Sequence, residues 1–112
     1  VFVSSLLLAS CSREVITPLQ DGAKLRQDCG RLLEQFPLGE IPKNQWPRSV
    51  LNLKPMRVAR EQNDIQILIH QEPGKFSGGY YVYLDAQLSP STQGVWIEKT
   101  EFKGIYVFKT QY

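Results

Sequence analysis

The stretch Ile65-Gln66-Ile67-Leu68-Ile69-His70-Gln71 decides the fold class. Its apolar β-branched residues recur at every second position, which is the period of an extended chain. Ile65, Ile67 and Ile69 would then share one face, and Gln66, Leu68 and His70 the other. Upstream, Met56–Arg60 reads as a partner strand, with Gln62-Asn63-Asp64 as the turn of a hairpin. Downstream, Tyr80–Asp85, Val95–Lys99 and Ile105–Thr110 are rich in aromatic and β-branched residues and read as three more strands. Pro73-Gly74 and Gly78-Gly79 bracket one loop, Leu88–Gly94 forms another, and Lys103-Gly104 lies near the last turn.

Ahead of the strands the period is helical. Leu25, Cys29, Leu32, Leu33 and Phe36 recur at spacings of three and four, and Pro37 ends the run. Thr17-Pro18-Leu19-Gln20 has the form of a helix start, with Thr17 as cap, Pro18 in the first helical position and Gln20 where a capping box places its reaching side chain. Pro37, Pro42, Pro47 and Pro55 exclude long regular elements between helix and strands, although Pro47 can open a short helix. The expected fold is α+β: one N-terminal amphipathic helix plus a short helix packed on a four- to five-stranded antiparallel meander sheet. Residues 18–112 would form it as a single domain.

The 112 residues suffice for one core and not for two. With 42% hydrophobic and 21% charged residues the chain has the composition of a globular protein. A net charge of +2 gives no reason to expect nucleic-acid binding, and two cysteines are too few for a disulfide scaffold.

The first residues, Val-Phe-Val-Ser-Ser-Leu-Leu-Leu-Ala-Ser, are followed by Cys11. The apolar run is less than half of the ~20 residues a spanning helix needs. It has the form of the tail of an export signal. Leu8-Ala9-Ser10-Cys11 resembles the lipobox of bacterial lipoproteins, where small residues give a peptidase access to the bond before the cysteine. The resemblance implies removal of residues 1–10, acylation of Cys11, and a tether over residues 11–17. It implies a partner as well, the membrane itself, reached through the lipid anchor. Ser12 stands where Asp would retain such a protein at the inner membrane, so an outer-membrane location facing the periplasm is implied for a Gram-negative source. The basic segment of a signal would lie upstream of Val1, unless Val1 marks an alternative start codon. With Cys11 acylated, Cys29 is expected as a small buried core residue.

Trp46-Pro47-Arg48-Ser49-Val50 is similar to a W-P-x-S-I/V pattern of small uncharacterised bacterial proteins, in which a helix of this pattern precedes short strands ending in an aromatic-rich one. That resemblance brings no activity with it.

No catalytic constellation emerges from the residues, and no cofactor or metal motif. His70 is the only histidine and reads as a strand residue at a sheet surface or edge. Ser77 and Ser89 lack the setting of a nucleophile. The pairs Glu98/Glu101 and Glu61/Asp64 lie at strand ends or turns, where solvent would keep both members ionised.

Two stretches point to binding. Lys43, Arg48, Lys54, Arg57 and Arg60 follow one another with no acid between Glu40 and Glu61, and they form either a contact for anionic headgroups or an ordinary solvated face. Trp96, Tyr81, Tyr83, Tyr106 and Phe108 alternate with Val95, Val82, Leu84, Ile105 and Val107. A helix can cover only one of these sets. The aromatic set either lines an open face, available to a peptide, glycan or envelope protein, or is closed over by loops and Trp46 as a second small core. The expected role is a non-enzymatic binding or adaptor module of the envelope. The alternative is an inhibitor or immunity-type protein directed at an envelope hydrolase or toxin.

Overall fold

The computed structural model describes residues 16–72, 76–85, 87–91 and 95–111. Residues 1–10, the lipobox with Cys11, and Pro73-Gly74 lie outside these. The described chain is α+β: helix α1 (Gly22–Gln35), strand β1 (Gly39–Glu40), a 3-10 turn (Lys43–Gln45), helix α2 (Arg48–Leu51), and strands β2 (Arg57–Arg60), β3 (Asp64–Glu72), β4 (Phe76–Tyr83), β5 (Trp96–Lys99) and β6 (Ile105–Gln111).

The amphipathic stripe of α1 forms as its spacing requires, with Leu25, Cys29 and Leu32 buried. The helix starts later than Thr17, however. Asp21 is the cap, its carboxylate accepting from the Lys24 N–H at 3.1 Å, an interaction that contributes about 1 kcal/mol to helix stability. Residues 16 to 20 are held elsewhere. Ile16 is buried in the core, and the Thr17 carbonyl accepts from the Tyr80 hydroxyl at 2.8 Å. Ile16 and Thr17 are thus engaged with the fold, within the span expected as a tether.

All six strands join one antiparallel sheet in the order β1-β2-β3-β4-β6-β5. The meander breaks at its end, because β6 lies beside β4 and β5 is the edge. The side chains account for this. Strand β6 is apolar on both faces, with Ile105 and Val107 on one and Tyr106 and Phe108 on the other, whereas β5 ends in Glu98 and Lys99. The doubly apolar strand takes the interior place, and a short charged strand suits an edge.

Both helices lie on the same face. Leu25, Cys29, Leu32, Val50 and Leu53 pack with Val58, Ile65, Ile67, Tyr80, Val82 and Ile105 in one core. Asp28, buried within it, accepts from the Ser49 hydroxyl at 2.7 Å and so ties α1 to α2. Trp46 belongs to this core too and donates to the Ile41 carbonyl. It therefore does not cover the opposite face. Cys29 is fully buried, and burial next to Asp28 pushes its thiol well above the usual range, which leaves it inert.

Gly78-Gly79 lies inside β4 rather than in a loop. The register of β3 against β4 shifts between Leu68 and His70: Leu68 pairs with Gly79, and His70 with Gly78. A bulge of this kind bends its own strand and disrupts the ladder locally. A Cβ on Gly79 would meet the Ile67 carbonyl oxygen, and one on Gly78 would meet the Ile16 side chain.

Candidate functional site

The face of the sheet away from the helices carries two rows of paired residues. One runs Ala59, Gln66, Tyr81, Tyr106, Lys99, and the other Arg57, Leu68, Gly79, Phe108, Ile97. Tyr83 stands beside them, opposite Asp64. Leu68, Tyr83, Tyr106 and Phe108 are buried, yet none belongs to the helix-side core. They make a second cluster. Phe108 faces the bare Gly79 and stacks on Tyr81 with ring centroids 4.3 Å apart, and Tyr83 meets Tyr106 edge to face at 6.0 Å. Tyr81 is the member left partly open to solvent.

Trp96 is not part of this face. It pairs with Lys109, which pairs with Gly78, so it points to the helix side, where it is 53% exposed with the Lys109 ammonium 5.4 Å from its ring centre. Ile97 takes the place expected of it. The alternation in Val95-Trp96-Ile97 is apolar at every position, so sequence pattern alone does not set which of the three turns which way.

At one end of the aromatic cluster lies the pair Glu61 and Asp64, and it is not a pair of solvated charges. Asp64 is 6% exposed, and its Oδ2 is buried without a hydrogen-bond partner. Burial first, then the nearby Glu61 carboxyl, push the Asp64 carboxyl up to about 7, against a smaller opposing pull from Arg60. Burial raises the phenols of Tyr81 and Tyr83 as well, that of Tyr83 to about 12 with the Asp64 and Glu61 charges adding to the effect.

The basic stretch divides. The Arg60 guanidinium donates to the carbonyls of Glu61 at 2.7 Å, Gln62 at 3.0 Å and Leu33 at 3.2 Å, and its Nε is buried. It ties the β2–β3 turn to the end of α1. Arg57 pairs with Glu40 at 3.9 Å on the surface and shares the rim of a cavity of about 210 Å³ with Lys43 and Trp46. Arg48 lines a separate cleft of about 470 Å³ between α2 and the start of α1, with Thr17, Gln20, Lys24, Ser49 and Asn52. Lys54 is exposed, with φ of 55° just ahead of Pro55.

His70 does not share a face with Gln66 and Leu68. Downstream of the bulge its partner is Gly78, which places it on the helix side, its ring 4.8 Å from Phe76 and its Nε2 3.6 Å from Glu72. Ser77 lies on the other face and bonds to the Thr110 hydroxyl, so the two do not form a nucleophile and base. Among the described residues no three His, Cys, Asp or Glu side chains converge as metal ligands. Compared with known proteins, the chain matches no family model, no curated protein and no solved structure.

Proposed function

We propose that the chain is a small envelope lipoprotein, anchored through Cys11, whose folded domain is a non-enzymatic binding module. The observation that carries the binding reading is the aromatic cluster of β4 and β6: a set of rings outside the main core, with Tyr81 open at its middle. Gln66 neighbours Tyr81 along its row, Lys99 lies beyond Tyr106, and Arg57 borders the next row, so the partly open Tyr81 ring has hydrogen-bonding and cationic groups around it. Such a surface suits a glycan or an extended peptide, which presents flat apolar faces between polar groups. The anchor rests on the lipobox resemblance, and several acyl chains at ~0.8 kcal/mol per buried methylene would hold the domain on a bilayer.

The binding arm is read by titrating the protein with soluble peptidoglycan fragments while following tyrosine resonances. Tyr81→Ala is expected to weaken binding about tenfold, the equivalent of one lost ring contact of ~1.4 kcal/mol. Equal affinities of the two forms would remove the platform as the site. Intact mass of the membrane-extracted protein reads the anchor: a chain starting at Cys11 and carrying acyl groups is expected, and an unacylated chain that retains residues 1–10 would refute it.

A further inference from the structure

The turn between β2 and β3 holds two carboxyl groups in a setting unlike that of surface acids. Asp64 opens β3 under Tyr83, and Glu61 lies at the other end of the same turn. The neighbouring cation does not neutralise them by contact, since Arg60 gives its hydrogen bonds to three backbone carbonyls. From β4 the pair is faced by Tyr83 and Tyr81, and from β6 by Tyr106, which stands edge-on to Tyr83. The side chain of Gln66 bonds to Tyr81 and carries no charge. From α1 the Leu33 carbonyl arrives through Arg60, and Lys99 on β5 stands at the far end of the tyrosine row. Asp64 is thus buried beside a second acid, with an unpaired oxygen and no cation in contact, a setting that disfavours its charged form.

We propose that this turn is a proton-operated latch on the tyrosine face. With the buried Asp64 carboxyl protonated, the turn stays folded in against Tyr83. Loss of that proton drives Asp64 outward, opens the turn end of the β2–β3 hairpin, and uncovers Tyr83 and Tyr81. The local structure permits the motion. Gln62 and Asn63 are exposed, so water lies one residue from Asp64, and the hydrogen bond from the Glu61 N–H to the Asp64 carbonyl, 2.9 Å long, closes the turn. The freed Arg60 guanidinium would then meet an ionised Asp64. Its bearing on ligand binding rests on the function proposed above; the motion itself does not.

The sign follows from linkage. The Asp64 carboxyl holds its proton to about 7 in the fold and, unburied, would lose it near 3.8. The stability it adds to the closed turn is complete below the lower value. It declines as pH rises between the two and is gone above the upper one.

Hydrogen exchange of the full chain, free of ligand, over pH 5 to 8 tests this. Residues 61–66 and 81–83 are expected to exchange at least tenfold faster at the upper end, beyond the intrinsic base-catalysed increase, with a midpoint within about a unit of 7. Asp64→Asn should abolish the step, and Glu61→Gln should move its midpoint down by removing the neighbouring charge. No step in the parent protein, the same step in Asp64→Asn, or an unmoved midpoint in Glu61→Gln would each overturn the latch. If Asp64→Asn does not fold, the shift in Glu61→Gln decides. A latch that titrates while Tyr81→Ala binds normally would sink the proposed function and leave the latch standing.

Discussion

Alanine at position 79 is expected to cost about 3 kcal/mol or more, enough to leave much of a domain of ordinary stability unfolded. The new Cβ would stand 1.9 Å from the Ile67 carbonyl oxygen, 2.9 Å from the Ile67 carbonyl carbon and 3.1 Å from the Ile69 nitrogen. All three are backbone atoms of the β3 bulge, so no side chain can turn away to make room. Relief requires undoing the bulge, and that would shift the register of everything beyond Leu68. Gly30→Ala is the control. Its Cβ would meet the branched end of Leu84 at 3.0 Å, which can move, while the helix gains about 1 kcal/mol of propensity. Urea denaturation should therefore show a large drop in midpoint for the first variant and little change for the second. Equal midpoints would mean that the bulge is not where the register puts it.

Phe108→Ala should cost about 3 to 4 kcal/mol, as for other buried aromatic truncations. Phe108 is 2% exposed, and the glycine across from it offers no side chain to fill the space it would vacate. The stack on Tyr81 goes with it. Since this cluster is separate from the helix-side core, the loss should appear first in the near-ultraviolet circular dichroism of the tyrosines, with helical signal retained at moderate urea. Phe108→Leu should recover more than half of the stability. A variant as stable as the parent would show that the second cluster contributes little.

The helix stripe and the five longer strands were legible because each repeats one period over several residues. Leu25, Cys29 and Leu32 could face only one way, and so could Ile65 and Ile67. Strand β1 was not legible: Gly39 and Glu40 are two exposed residues without any period, and pairing to β2 alone makes them a strand. The bulge was hidden as well, since a one-residue slip leaves the apolar pattern of Ile67-Leu68-Ile69 unchanged while moving His70 to the other face. Gly78-Gly79 carries the only trace of it, and in the sequence such a pair marks the edge of a loop. Of the candidate binding face, Tyr81, Tyr83, Tyr106 and Phe108 come together as their alternation suggested, because the same alternation places Val82, Ile105 and Val107 toward the helices. The burial of Asp64 was beyond reach. It depends on Tyr83, nineteen positions along the chain, closing over a turn that looks fully hydrated in isolation.

The sheet order has a temporal side. Residues 105–111 lie between β4 and β5, so the edge strand has no neighbour until a later segment of the chain has arrived. A ribosome delivering the chain from its N-terminus would release β5 with nothing to dock on. Completion of the sheet must wait for the final strand to slide into an interior position, which makes assembly late and concerted rather than stepwise.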